Sequence, residues 1–367
     1  MAAKEINSSN LEDFQYLIDL INEGRNDGEN KVTPIISNSF RMEEIFREDD
    51  ELMGWLQKDQ VPTFYDEVHT LDHQLAKKWA NKFEYPMSDG HRWARVAQYL
   101  QVDPKKTPGT EYLRFLKGEL LALGRNKKGY EEKVTQLEPW IDWLNLSDIA
   151  TDLDYPTFPA GREDPLLLLA KLPFPVYITT SYSDFLERAL LKVGKVPRRQ
   201  ICFYTGKTIK DISKDLPDSN FNPDPMNPAV YYLFGMEEYR PTLVLSEDDY
   251  LDFLMRADGV IGAQNFPSPL SLAFSNSSLL LLGYSLRDWD FRTLFRLILK
   301  FRQETRKKPG IAIQFKPSLG QKNYQERAES YLKQYFENQK FEIRWTNTEK
   351  FIYDLWSAYV RSNVVQV

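Results

Sequence analysis

The chain is predicted to be an α/β protein, a doubly wound, mostly parallel sheet carrying a large helical insertion. Three observations lead there. A length of 367 residues accommodates one large α/β unit with an insertion, or two to three domains. Short, wholly apolar runs such as Leu279 to Leu282 read as strands buried on both faces. Amphipathic stretches of helical period separate those runs, and this alternation selects a parallel sheet covered on both sides.

The elements follow in order. Ser8, Ser9 or Asn10 caps a first helix with Leu11, Phe14, Leu17, Ile18 and Ile21 on one face, ending near Gly24. Gly28 turns the chain into a strand over Lys31 to Ser37, where Pro34 counts against a central position. From Phe40 to Lys171 the pattern is helical, with breaks near Pro62, Pro86 to Gly90, Pro104 to Gly109 and Pro156 to Gly161. Strands are then expected at Val176 to Thr180, Ile201 to Tyr204, Val230 to Phe234, Thr242 to Leu245, Leu279 to Gly283, Ile311 to Phe315 and Phe341 to Trp345. Helices are expected at Asp184 to Val193, Asp248 to Met255, Trp289 to Phe301, Tyr324 to Phe336 and Glu349 to Val360. The chain thus divides into residues 1–39, the first helix and strand of the core; 40–171, the helical insertion; and 172–367, the rest of the core with a C-terminal strand and helix. In such a sheet, ligands bind beyond the carboxyl ends of the strands at the switch in strand order, so the residues just after each strand matter most.

Composition narrows the function. At 42% hydrophobic and 27% charged residues, disordered and fibrous classes drop out. Forty-seven Lys and Arg against 53 Asp and Glu give a net charge of −6, which carries no strong nucleic-acid signal. Met1 to Asn10 lacks a signal peptide's basic start and apolar run, and no apolar stretch approaches the ~18–20 residues of a membrane span, so the expected address is cytoplasmic. Cys202 is the only cysteine, which excludes an intrachain disulfide and a four-cysteine zinc site. The three histidines, His69, His73 and His91, all fall in the first quarter of the chain. Chemistry later in the sequence lacks the commonest general base unless the fold returns one of them to it.

Three strand ends together resemble one family. Ile178-Thr-Thr-Ser-Tyr-Ser-Asp-Phe-Leu-Glu187 is similar to a strand-to-helix turn of usual form Thr-Thr-Asn-Tyr-Asp-Asp-Leu-Leu-Glu. Tyr232-Leu-Phe-Gly235, followed by Leu243-Val-Leu-Ser-Glu-Asp-Asp-Tyr250, resembles a Lys-Leu-His-Gly and a later Thr-x-x-Asp-Tyr segment. Leu279-Leu-Leu-Leu-Gly-Tyr-Ser-Leu-Arg-Asp288 matches a Gly-Tyr-Ser-x-x-Asp strand end. Their order and spacing, over about residues 175–303, resemble the prokaryotic sirtuin-like family.

The resemblance implies an NAD-binding, Rossmann-like core that deacylates lysine or, in many defence proteins, hydrolyses NAD. The family's Asn and Asp in the strand-to-helix turn and its His before Gly align with Ser181, Ser183 and Phe234. Serine lacks the reach of asparagine, phenylalanine accepts no proton, and a lost general base costs roughly 10²–10⁴-fold in rate. The family's glycine-rich phosphate turn is replaced by Ile35-Ile-Ser-Asn-Ser39. Ser37, Asn38 and Ser39 either donate to a phosphate or cap the next helix. Gly283, Ser285 and Asp288, matching the family pattern, either contact the nucleotide or shape a turn and cap a helix; Thr180 and Ser181 complete the candidate cofactor contacts.

The expected function is a catalytically degenerate sirtuin-like protein that serves as a binding or assembly part in prokaryotic antiviral defence. The alternatives are an active NAD glycohydrolase using Asp184, Asp248, Asp249 or Asp288, and a sensor of NAD or a related nucleotide. If an enzyme, it is an NAD glycohydrolase rather than a zinc-dependent lysine deacylase. Expected partners are further copies of the chain or a separate defence protein, a DNA translocase or an Argonaute-like protein, with the insertion as contact surface and its Trp55, Trp79, Trp93, Trp140 and Trp143 as either interface or core. Gly206-Lys-Thr208 ends like a phosphate-binding loop but has Ile201 where the first glycine should stand. His69 and His73, at i and i+4, have metal-binding spacing but read as exposed helix residues. The basic clusters at Lys192 to Arg199 and Arg306-Lys-Lys308 read as solvated helix ends.

Overall fold

The computed structural model describes residues 9–47, 71–202, 209, 212–257, 267–284, 288–302, 309–314 and 322–364. Trp55, His69, the Gly206-Lys-Thr208 turn, Ser285 and Arg306-Lys-Lys308 lie outside the described residues. Helix α1 (Ser9–Asp27) buries Phe14, Leu17, Ile18 and Ile21, as its period requires, and leads into strand β1 (Val32–Ile36). Six more strands follow among the described residues: β2 (Val176–Thr179), β3 (Arg198–Ile201), β4 (Ala229–Tyr232), β5 (Ser278–Leu282), β6 (Gly310–Gln314) and β7 (Phe341–Trp345). They form one sheet of order β3-β4-β2-β1-β5-β6-β7, and every neighbouring pair is parallel. This is a doubly wound α/β sheet.

Pro34 is nonetheless in a central strand. Ser37 donates its N–H to Leu282 O on β5, and Ile36 O accepts from Thr180 N on the opposite side. By alternation, the missing N–H of Pro34 faces β2, where the ladder begins only at Ile35 with Ile178. No hydrogen bond is forfeited there. The strand expected at Thr242 to Leu245 is absent: a 3-10 turn (Glu237–Thr242) with Pro241 inside it precedes a buried extended segment whose Val244 N–H bonds only to Phe234 O. A buried apolar run marks burial, not a ladder. β3 starts three residues before its expected position, and a helix at Ser268–Asn276 was not anticipated.

Residues 38–171 contribute helices α2 (Asn38–Phe46), α3 (Leu71–Lys82), α4 (Trp93–Gln101), α5 (Pro108–Asn126), α6 (Glu131–Leu137), α7 (Leu146–Asp152) and α8 (Pro165–Lys171). They share one hydrophobic core with the sheet. Trp79, fully buried, meets Trp93 at 5.5 Å and Tyr112 at 5.7 Å between ring centroids; Tyr112 in turn meets Tyr182, beyond β2, at 5.8 Å. Trp140 and Trp143 are instead 60% and 82% exposed, so the tryptophans of this region divide between core and surface.

The winding fixes the site. From β1 the chain builds β2, β3 and β4 on one side, then crosses to β5 and builds outward on the other. The direction reverses between β1 and β5. Ile36 pairs with both Leu282 and Thr179, and Thr179 with Tyr232, so Ser37, Thr180, Leu233 and Gly283 all leave the sheet at one edge.

Candidate functional site

Ser37 ends β1 and caps α2: its Oγ accepts from Phe40 N at 3.1 Å and donates to Gly283 O. Fully buried, it is spent on structure. Gly283 has φ +76, and a Cβ there would stand 2.5 Å from Phe40 Cβ, so glycine lets β5 leave the sheet against the first turn of α2. The helix-cap alternative is therefore the one realised at Ser37. Asn38 and Ser39, one step on, line a cleft above the strand ends, where Asn38 Nδ2 donates to Tyr112 Oη at 3.1 Å.

The turn after β2 alternates in the same way. Thr180 and Tyr182 line the cleft, with Thr180 Oγ1 3.1 Å from Tyr284 Oη and Tyr182 Oη donating to Val244 O at 2.7 Å. Ser181 and Ser183 are outside the cleft lining: Ser183 N donates to Ser181 Oγ at 3.2 Å, and the Ser183 hydroxyl bonds to Glu237. Phe234 is a larger departure. Its ring is fully buried, edge-on to Tyr250 at 5.3 Å and Phe253 at 5.2 Å, behind Tyr250, which lines the cleft. Gly235 follows with φ +85, where a Cβ would overlap the Thr242 carbonyl. Of the expected contacts, the cleft thus gathers Asn38, Ser39, Thr180 and Asp288, and leaves Ser37, Ser181, Ser183, Phe234 and Gly283 in the supporting structure.

Asp288 is also the only one of the four alternative aspartates to reach the cleft. Asp184 accepts from Ser147 Oγ and from Arg188 Nε at 3.0 Å. Asp249 caps its helix through Ser246 N at 2.9 Å, and Asp248 pairs with Gln98 at 2.6 Å.

The insertion supplies what the linear sequence did not reveal. Asp72 and His73, on α3, and His91, Arg92 and Trp93, before and at the start of α4, form the wall facing Asp288, Asp290 and Arg292. The His73 and His91 rings meet edge to face at 5.3 Å, and His73 Nε2 stands 3.9 Å from Asp288 Oδ1. Two of the three histidines are thus returned to the strand ends. Burial and the neighbouring Asp288 charge hold both Asp72 and Asp290 above the usual carboxylate range. Glu43, on α2 nearby, is pushed up to about 8 by burial and Asp72. Burial and His73 press His91 below the ordinary imidazole value. The cleft therefore combines two imidazoles, carboxyl groups of raised proton affinity, and the exposed arginines Arg92 and Arg292.

Residues 175–339, from the residue before β2 to two residues before β7, match the family model described as SIR2-like domain. The chain carries a SIR2-like domain. No curated protein sequence matches the chain. SIR2-like domains are associated with NAD in general. Around the cleft stand the exposed Arg92 and Arg292, the carboxyl groups of Asp72, Asp288 and Asp290, and the aromatic side chains of Trp93, Tyr250 and Trp289, the kinds of group that recognise phosphates, hydroxyls and bases. Among the described residues, no group of three or more His, Cys, Asp or Glu is arranged to hold a metal ion, and no helix is long and apolar enough to cross a membrane.

Proposed function

We propose that this sirtuin-like protein binds NAD or a related nucleotide in the switch-point cleft, and that Ser181, Ser183 and Phe234 take no part in chemistry on it. The burial of the Phe234 ring behind Tyr250 carries this reading: the family's histidine position points into packing. Titration calorimetry of the full chain with NAD tests it. Expected is saturable one-site binding that weakens about tenfold or more in Arg92→Ala/Arg292→Ala, because the phosphates lose charge-assisted bonds. Absence of binding to NAD and to ATP would remove the reading.

The wider role we propose is assembly, with further copies or with a separate defence protein such as a DNA translocase or an Argonaute-like protein. Trp140 and Trp143 support it, since two exposed tryptophans on one short segment are unusual for a surface with no partner. Light scattering after size exclusion should give an oligomer, shifted to monomer by Trp143→Arg. A monomer that also fails to bind the products of adjacent genes would count against assembly.

A further inference from the structure

We propose that β7 docks a second copy of this chain, its edge pairing antiparallel with the same edge across a two-fold axis at Ile343, so that two sheets become one. The inference goes beyond the tryptophan surface and does not use it. Trp143 stands toward the opposite end of the sheet, where Arg240, in the turn after β4, donates to Asp142 O at 2.6 Å.

The ladder shows which groups are open. β6 and β7 pair with Gly310 beside Phe341 and Ala312 beside Ile343, and Gly310 N donates to Lys340 O at 2.9 Å. In a parallel ladder this turns the peptide groups of residues 340, 342 and 344 toward β6. Those of Phe341, Ile343 and Trp345 point the other way, and among the described residues no strand lies beyond β7. The far edge is treated differently. β3 is flanked by the chain that follows it: Asp218 N donates to Gln200 Oε1 at 2.7 Å, and Arg198 pairs with Asp218 at 2.8 Å and lies over the Phe221 ring at 4.6 Å. An open edge of five residues rich in aromatic and β-branched side chains invites another strand. It is also held firm, because Phe341 is buried against Phe295 and Phe336 at 5.4 and 6.3 Å between ring centroids.

Symmetry and charge identify the occupant. When one edge meets itself, the closed arrangement is a two-fold axis, which makes the strands antiparallel. With the axis at Ile343, Ile343 faces its own copy and Phe341 faces Trp345 as hydrogen-bonded pairs, which use the outward peptide groups. Glu342 then faces Arg344 in both of the intervening pairs, where side chains approach most closely. Moving the axis one residue either way sets Glu342 against Glu342 or Arg344 against Arg344. An axis between residues would match outward peptide groups with inward ones. Phe341-Glu-Ile-Arg-Trp345 is thus self-complementary in one register. Within one copy Arg344 Nε pairs with Glu342 Oε1 at 2.7 Å, and 56% of the Glu342 side chain stays exposed, so its carboxylate has room for a second guanidinium. The contact is modest in area. One strand pair buries less than the ~1,200–2,000 Å² of a standard interface, so it forms at high concentration and dissociates on dilution during size exclusion.

Sedimentation velocity of the full chain over a wide concentration range tests the pairing, with Trp143→Arg as a background that removes the tryptophan surface. Expected is a monomer–dimer equilibrium in that background. Arg344→Glu and Glu342→Arg should each weaken it about tenfold or more, because each sets like charges opposite one another. The double variant Glu342→Arg/Arg344→Glu should regain it, and the two single variants, monomeric apart, should associate when mixed. Rescue by the swap reads the register, which a purely local role for either residue would not give. Ile343→Pro should also abolish pairing while sparing the bonds to β6, since the N–H it removes points outward. Thermal melts of each variant check folding, and if the proline is not tolerated the charge variants decide. A background that stays monomeric at every concentration overturns the pairing, as does association that the single variants retain or that neither the swap nor the mixture restores. A parent oligomer that survives Trp143→Arg but not Arg344→Glu supports the edge and counts against the tryptophan surface, so the two readings fail separately.

Discussion

Phe234→His should lower stability by about 2–4 kcal/mol and yield no gain in nicotinamide release. The substitution restores the residue type that the sirtuin-like pattern has before its glycine. In this chain, however, the position is fully buried between Tyr250 and Phe253, with edge-on ring contacts at 5.3 and 5.2 Å. An imidazole would give up both aromatic pairs, each worth about 0.5–1.5 kcal/mol beyond its burial, and place two ring nitrogens among carbons. It would also stay behind Tyr250, out of reach of a ligand. Urea unfolding and a nicotinamide assay read the two halves separately. A variant of unchanged stability whose release rises tenfold would show that the ring can swing into the cleft, and the structural role assigned to Phe234 would fail.

What the sequence disclosed and concealed follows from how far each feature reaches along the chain. Strands buried on both faces announce themselves as local apolar runs, so β2, β5 and β6 are legible to within a residue or two. Leu243-Val-Leu245 has the same composition and is equally buried, but it has no ladder partner beyond one bond to Phe234, a distinction that lies in tertiary structure. The cleft was half legible. Switch-point reasoning points to the strand ends, and of the residues it names Asn38, Ser39, Thr180 and Asp288 line the cleft there, because strand ends are local features. It cannot say which of two adjacent residues in a turn faces the cleft, and Thr180 and Tyr182 line it while Ser181 and Ser183 do not. The histidines were the deepest omission. Helical spacing pairs His73 with His69, whereas its ring partner is His91, on the far side of a helix and a turn. The usable signal was scarcity: a chain with three histidines that keeps two of them against its strand ends has placed them there through the insertion.

How that insertion is locked to the sheet leads to the second large effect, a loss of about 3–5 kcal/mol in Glu237→Ala. Glu237 follows the Phe234-Gly235 turn, and its carboxylate accepts from the backbone N–H of Leu146 at 3.0 Å, the first residue of α7. Lys117, on α5, lies 3.4 Å away, with 3% and 1% of the two side chains exposed. Burial raises the proton affinity of Glu237 and lowers that of Lys117, while each counters the other's shift, the mark of a pair that depends on its partner to remain charged. Removing the carboxylate leaves a buried ammonium, an unpaired helix N–H and a loose Ser183 hydroxyl at one point. Because the wall bearing His73 and His91 packs through Trp79, Trp93 and Tyr112 onto α5, the same change should loosen the cleft and weaken nucleotide binding at a distance from it. Lys117→Met added to Glu237→Ala should recover part of the stability by removing the stranded charge, whereas Glu237→Gln, which keeps an acceptor for Leu146, should cost less than alanine. Urea midpoints for the three variants, with calorimetric titration of each, check the order. A Glu237→Ala protein within about 1 kcal/mol of the parent would mean that water reaches this pair and that the insertion is held by its apolar contacts alone.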